Sequence, residues 1–272
     1  MLLGSTLSFE KENPMRLTLL FDREMSVWIQ TDPGVILFDT DSVPDDLSAA
    51  VADAGLSLAN VDAVVLSHSH NDHVGGLQAV LDAKPDVPIH VAPGLLIPPY
   101  GTVPDGEPEF IGSDLLHGNG PKPTGITTFT GTREVAPDCL AVNGAVGPTK
   151  TRFKKKIDGE FVVDRYQHES WLILGKSGNR TMLVGCSHPG VVTMLRLCRE
   201  QLGLTDIHTL IGGLHSYASS DEELHAMTAT LKELGIRRSV IGHCSGKNTQ
   251  AAFRDEFGEN ATDMAKGLVI EA

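Results

Sequence analysis

The six residues from His68 to His73 read His-Ser-His-Asn-Asp-His and put three imidazoles and one carboxylate into a single short loop. Neutral imidazole binds zinc, iron, nickel or manganese, and a carboxylate adds an oxygen ligand and negative charge. Four such groups so close together cannot all serve one ion and leave it open, so two ions are the simpler reading. Later in the chain, Cys186 with His188, then His215, then His243 each follow a short hydrophobic run, and each offers a further donor where a strand would end. His90, His117, His208 and His225 lack that context and are read as ordinary polar groups, the commoner fate of a lone histidine.

Those donors need a scaffold. Residues 62–67 are a β-branched run and residues 75–83 continue at helical spacing, so the loop sits at a strand-to-helix junction, where a sheet edge can hold several side chains around one point. Further strands are expected over 16–21, 26–30, 35–39, 88–92, 126–130, 170–174, 180–185, 207–212, 239–243 and 268–271. A helix should begin after Ser42 as its cap, with Pro44 in the first turn and Gly55 just past the end. Others are expected over 190–202, behind the capping box from Ser220 to Glu223, and briefly after His243. Residues 93–125, rich in Pro and Gly without periodicity, read as an irregular segment and a candidate lid. Strands followed by helices in both halves, with no fixed repeat, indicate an α/β fold.

With 272 residues, 41% of them hydrophobic, the chain can bury a large core, and it reads as one domain over 1–272. The apolar stretch Met1 to Gly4 is too short for a signal peptide, and no run approaches a membrane span; the expectation is a cytoplasmic protein with no membrane partner. Cys139, Cys186, Cys198 and Cys244 lie far apart and form no CxxC pair, so neither a disulfide framework nor a cysteine zinc ribbon is indicated. A net charge of −13 argues against nucleic acid as a partner. The exception is a local basic segment, 150–156, containing Lys150, Arg152, Lys154, Lys155 and Lys156.

Phe38-Asp-Thr40, Leu66-Ser-His-Ser-His-Asn-Asp-His-Val-Gly-Gly76 and the strand-end histidines resemble the metallo-β-lactamase superfamily. That resemblance implies an αββα sandwich, two mixed β-sheets flanked by helices, with a dinuclear metal site at one edge. Gly185-Cys-Ser-His-Pro-Gly190, Ile211-Gly-Gly-Leu-His215, His243-Cys-Ser-Gly246 and Phe129-Thr-Gly-Thr-Arg133 look like the branch that includes the dihydropterin-methyl-ribofuranosylaminobenzene-phosphate synthases of methanopterin biosynthesis. The likeness runs from about Arg16 to the C-terminus.

The resemblance implies that His68, His70 and His188 hold one divalent ion while Asp72, His73 and His243 hold the other, with zinc the first choice and Mn, Fe or Ni the alternatives. Asp39 fits the superfamily's buried aspartate, which accepts a hydrogen bond from a ligand imidazole or shapes the loop. Asp72 and His215 are the catalytic candidates; Ser216, Tyr217 and Lys247 are weaker substrate contacts. Cys186 stands where much of the superfamily has a metal-bridging aspartate, so the resemblance allows it as a ligand in place of His188 or beside it. His168 is a second rival. Asp41 and Ser69 stand where the family usually has glycine, which alters backbone freedom beside the site.

The expected function is a metal-dependent hydrolase in which metal-bound hydroxide attacks a small, anionic ester, lactone or phosphoester. A pterin-linked transferase and a non-catalytic ligand-binding member of the fold are the alternatives. Neither substrate nor oligomeric state is written in a motif.

Overall fold

Short β-branched runs separated by turn residues can satisfy their backbone polar groups only by pairing with one another, and that pairing organises the chain. The computed structural model describes residues 15–102, 106–147 and 153–272. Strands β1 (Arg16–Leu19), β2 (Val27–Thr31) and β3 (Gly34–Phe38) form an antiparallel meander. Helix α1 (Pro44–Asp53) crosses to β4 (Ala63–Val65), parallel to β3. After it come α2 (Asn71–Val74), α3 (Leu77–Ala83), β5 (Ile89–Val91), β6 (Pro99–Thr102), β7 (Pro108–Phe110), α4 (Asp114–His117) and β8 (Ile126–Thr128). The second half runs β9 (Thr132–Ala136), β10 (Cys139–Val142), β11 (Phe153–Ile157), β12 (Glu160–Val163), β13 (Trp171–Leu174) and β14 (Arg180–Val184). It continues through α5 (Val191–Arg196), β15 (Ile207–Gly213), α6 (Asp221–Glu233), β16 (Arg238–Gly242), α7 (Lys247–Phe257), β17 (Ala261–Asp263) and β18 (Val269–Glu271).

Two seven-stranded sheets result, in the orders β18-β1-β2-β3-β4-β5-β8 and β17-β16-β15-β14-β13-β10-β9. Both are mixed. Side chains alternate between faces with period two, so each sheet has an inner and an outer apolar face. Leu17, Ile29, Phe38 and Val65 meet Leu172, Leu183, Ile211 and Val240 between the sheets. Leu37 and Val64 point outward onto Leu47, Val51, Leu77 and Val80 of α1 and α3. Trp171, Met182 and Leu210 do the same onto Met194, Leu231 and Phe253 of α5, α6 and α7. The layers are therefore helices, sheet, sheet, helices, as expected for an αββα sandwich. The capping box at Ser220 and Glu223 is also present.

Two expectations need correction. Ser42 does not cap α1: the N-cap is Val43, without a side-chain bond, and the Ser42 hydroxyl donates to Asp41 Oδ1 at 3.2 Å. Residues 93–125 are not irregular throughout. Strands β6 and β7 pair antiparallel and join β11 and β12 in a third, four-stranded sheet ordered β12-β11-β6-β7. Its strands are three to five residues long and two begin with proline, so they carry too little alternation to read. The basic segment is divided as well, since residues 148–152, with Lys150 and Arg152, lie outside the described residues while Lys154, Lys155 and Lys156 belong to β11.

Candidate metal centre

The C-terminal ends of the parallel strands in both sheets open onto one rim. His68 to His73 follow β4, His188 follows β14, His215 follows β15 and His243 follows β16. Each chain segment must bend sharply to aim its side chain across the rim. Six non-glycine residues there have positive φ: Asp39, Asp41, Tyr166, Ser187, His215 and His243, with values between 45° and 64°. Only two other described non-glycine residues, Asp138 and Asp158, share that conformation. Left-handed backbone costs a side-chain-bearing residue about 1 kcal/mol or more, so its concentration here is strain held by the surrounding fold. Asp41, at φ 64°, occupies a conformation that favours glycine, which accounts for the glycine usual at that place. The loop also packs tightly from below: a Cβ on Gly76 would lie 1.9 Å from the Thr40 carbonyl oxygen.

Two triads of donors result. One donor atom each from His68, His70 and His188 lies within 4.8 Å of the others, and the same holds for Asp72, His73 and His243. In the second triad the imidazole Nε2 atoms of His73 and His243 are 3.2 Å apart, and each is 3.6 Å from Asp72 Oδ2. The opposite ring nitrogens are anchored. His68 Nδ1 is 2.9 Å from Ser67 Oγ, which itself donates to Asp39 Oδ2 at 2.7 Å. His73 Nδ1 pairs with Asp39 at 2.7 Å, His188 Nδ1 with Glu169 at 2.9 Å and His243 Nδ1 with the Arg23 carbonyl at 2.6 Å. His70 is held instead through Nε2, 2.8 Å from the Tyr166 hydroxyl. Donation through one nitrogen fixes the tautomer and leaves the other with a lone pair, as a metal ligand requires.

The donor set fits divalent metal on a further ground. His68 Nε2 is buried and has no hydrogen-bond partner among the described residues, a costly state for a polar atom unless an ion takes its lone pair. Burial and the neighbouring histidines push His68 well below its usual range, and burial takes His70 down to about 3, so both are neutral near pH 7. The second triad differs. Burial opposes charge on His243, but the Cys244 sulfur and Asp72 outweigh it and raise the imidazole to about 9. Asp72 and Asp39 likewise outweigh burial at His73 and raise it.

That difference predicts ordered, pH-dependent loading. A proton on His243 must leave before an ion binds, so affinity at the second triad should fall at least about tenfold per pH unit below about 9, with the raised His73 adding to the slope. The first triad should hold its affinity over the same range. Titrating metal-free protein against a chromophoric chelator at several pH values checks this; two sites with the same pH slope would contradict it.

The structure also sorts the rivals. His168 is turned into another network, with Nδ1 2.9 Å from Lys155 Nζ and Nε2 3.4 Å from Ser69 Oγ, and it joins neither triad. Cys186 is different: its Sγ lies 3.2 Å from both His73 Nε2 and His243 Nε2. His188 and Cys186 are not mutually exclusive: His188 belongs to the first triad, while Cys186 lies between the two, within 4.8 Å of donors from both His68 and His73. Cys244 Sγ is 3.3 Å from Cys186 Sγ, a convergence that the sequence spacing of the cysteines does not show. His215 lies beside the first triad, its ring 4.6 Å from that of His188. Ser216 is buried against Thr249 Oγ1 at 2.8 Å, so it does not face the rim, whereas Tyr217 and Lys247 are exposed. His90, His117, His208 and His225 stand apart from these donor groups.

Two residues at the site escape the sequence reading. Glu169, fully buried, accepts from the amides of Cys186, Ser187 and His188 at 3.2, 2.6 and 2.8 Å as well as from His188 Nδ1. It fixes both the loop after β14 and the ring it presents. Burial pushes the carboxyl up to about 8, against the pull of the His188 and Ser187 amides. Tyr166 holds His70 and stacks on His188 with ring centroids 4.0 Å apart and an interplanar angle of 5°. The signal was the run Tyr166-Gln-His-Glu-Ser170, in which His168 drew attention to itself and away from its neighbours.

Residues 21–149 match the family described as the metallo-beta-lactamase superfamily. That stretch of the chain carries the metallo-β-lactamase superfamily's domain match. The superfamily match covers the loop from His68 to His73 and ends before His188, His215 and His243, whose placement rests on the fold. A curated relative, the 7,8-dihydropterin-6-methyl-4-(beta-D-ribofuranosyl)-aminobenzene-5'-phosphate synthase of Methanocaldococcus jannaschii, is 26% identical over 252 residues, covering 87% of this chain and 84% of that protein. Among solved structures, a metal-dependent hydrolase of the β-lactamase superfamily superposes with a TM-score of 0.79 at 23% identity, covering 95% of this chain and 99% of the other. The metallo-β-lactamase fold protein YhfI from Bacillus subtilis gives a TM-score of 0.62 at 14% identity, covering 96% and 100%. At these identities the structures establish the metallo-β-lactamase fold. No helix among the described residues is long and apolar enough to cross a membrane.

Proposed function

We propose that this protein is a cytoplasmic, metal-dependent hydrolase that holds two divalent ions, zinc first, and cleaves an ester, lactone or phosphoester bond in a small anionic substrate. The observation that carries the reading is the pair of three-donor triads meeting at one rim, because three protein donors per ion leave a coordination position open to substrate. Bound ions would supply an acidified water and polarise the bond under attack. The protein's own contribution is orientation. Asp39, Glu169 and Tyr166 lock the rings of His73, His188 and His70, so the donors need not reorganise during turnover.

His215, tilted against His188 and partly exposed, is placed to orient substrate or give a proton to the leaving group. A cavity of about 640 Å³, bordered by Gly94, Lys155, Tyr166 and His168 and linked to the site through Tyr166, which holds His70, has a size suited to a small molecule. Lys155 does not bring a free positive charge there, because its ammonium donates to the Gly94 carbonyl and His168 and lies 3.7 Å from Asp164. Anion recognition then falls to the ions and His215. The net charge of −13 disfavours nucleic acid as the substrate.

A transferase acting on a pterin-linked substrate is the second reading, favoured by the 26% identity with the Methanocaldococcus jannaschii synthase over most of both chains. In that case the ions would bind phosphate or pyrophosphate. Assaying chelated and metal-restored protein against lactones, thioesters, phosphodiesters, pterin-linked phosphates and structured RNA separates the readings. Metal-dependent cleavage of RNA alone would overturn both. His215→Ala should lower kcat about 100-fold or more with metal content unchanged, which elemental analysis alongside turnover would check; full activity would remove His215 from the reaction.

A further inference from the structure

Beside the two triads lies a further group of donors, whose Cys244 sulfur the proposed hydrolysis does not use. One donor atom each from Cys186, His215 and Cys244 lies within 4.8 Å of the others. All described cysteines are free, and the two sulfurs here are 3.3 Å apart. Two thiolates on one tetrahedral ion, bound at about 2.3 Å, stand about 3.8 Å from each other, so an opening of about half an ångström would seat a cation between them. The group is also built into the backbone. A Cβ on Gly213 would meet Cys244 Sγ at 2.8 Å and His243 Cδ2 at 2.9 Å, so a glycine keeps open the space into which that sulfur packs. His243, at φ 52°, sends its own ring to the second triad while the next residue, Cys244, turns its sulfur toward Cys186. Cys244 and His215 are partly exposed, which gives an ion a way in.

We propose that Cys186, Cys244 and His215 form a soft-metal site, adjoining the second triad through Cys186, that captures one thiophilic d10 cation, such as Cd(II), Cu(I) or Zn(II). The chemistry differs from that of the triads, whose own donors are nitrogen and oxygen and which have only the Cys186 sulfur beside them. Two thiolates and an imidazole select for soft ions over Mn(II) or Mg(II). Binding is ligand exchange without electron transfer: the two thiols lose their protons to solvent, and two metal–sulfur bonds and one metal–nitrogen bond replace three metal–water bonds. An ion held there would occupy His215, so a soft metal would silence a group placed for substrate while leaving the triads filled.

Cadmium titration of the reduced, metal-free protein tests this through the ultraviolet thiolate-to-cadmium charge-transfer band, which an ion held by nitrogen and oxygen alone does not produce. The wild type should show the band, Cys244→Ser should lower it at least about twofold and remove one equivalent of bound cadmium, and Asp72→Ala should keep it. Cadmium NMR of the wild type gives a reading independent of any variant, since an ion with two sulfur ligands resonates far downfield of one with nitrogen and oxygen alone. Absence of the band, or its persistence at full strength in Cys244→Ser, would overturn the site. Loss of the band in Asp72→Ala would also overturn it, by showing that Cys186 serves only as a fourth ligand of the second triad. None of these results bears on whether the two triads fill, which elemental analysis reads separately.

Discussion

Glu169→Ala should cost about 3–5 kcal/mol of stability and weaken metal binding at the first triad about 10- to 100-fold. The glutamate is the shared acceptor for the amides of Cys186, Ser187 and His188 and for the His188 ring. Alanine would leave four buried donors unmatched where water has no access, and each such loss costs about 1–3 kcal/mol before relaxation. The loop after β14 would then relax, and His188 would lose the partner that fixes its tautomer. Urea unfolding of the metal-free variant measures the first effect, and metal titration of the folded variant measures the second. A stability change below about 1 kcal/mol would show that the three amides find other partners and that Glu169 is not the keystone of this loop.

The second expected result concerns the ions themselves. His68→Ala and Asp72→Ala should each lower bound metal from about two ions to about one, and the double variant should bind essentially none. Turnover should fall about a thousandfold or more in each single variant, because loss of an ion removes several kcal/mol of charge stabilisation in the transition state. The two substitutions strike different triads, so equal losses from each would indicate two independent sites feeding one reaction. Elemental analysis of purified protein, before and after exhaustive chelation and reconstitution, reads the stoichiometry. Retention of both ions in either variant would overturn the partition of ligands.

Much of this was legible in the chain. The loop from His68 to His73 is dense enough in donors to declare itself, and β3, β4, β14, β15 and β16 are apolar runs whose ends mark the later donors. Their convergence follows from parallel pairing, which puts the carboxyl ends of strands on one rim. Short strands were not legible. The β11 and β12 hairpin carried a signal at Asp158-Gly159, whose φ values of 50° and 89° are those of a tight hairpin turn, but that signal was overshadowed by the run of lysines. Glu169 was hard to single out within its run for another reason: three of its four partners are backbone amides, and no residue type advertises them. The meeting of Cys186 and Cys244 depends on two strand-end bends, and 57 residues separate their positions in between.

One feature of the architecture reaches beyond chemistry. His68, His70, Asp72 and His73 hang from the first sheet, whereas His188 and His243 hang from the second, so each triad straddles the seam between layers. At that rim the described backbone offers a direct stitch, from the Ser170 amide to the Ser67 carbonyl at 2.7 Å, and another from the His243 ring to the Arg23 carbonyl. Ions seated there would fasten the layers like rivets on the open side of a folded plate. Amide exchange in β4, β14 and β16 would then slow together when metal binds, and the two sheets would part first along this rim when it is withdrawn.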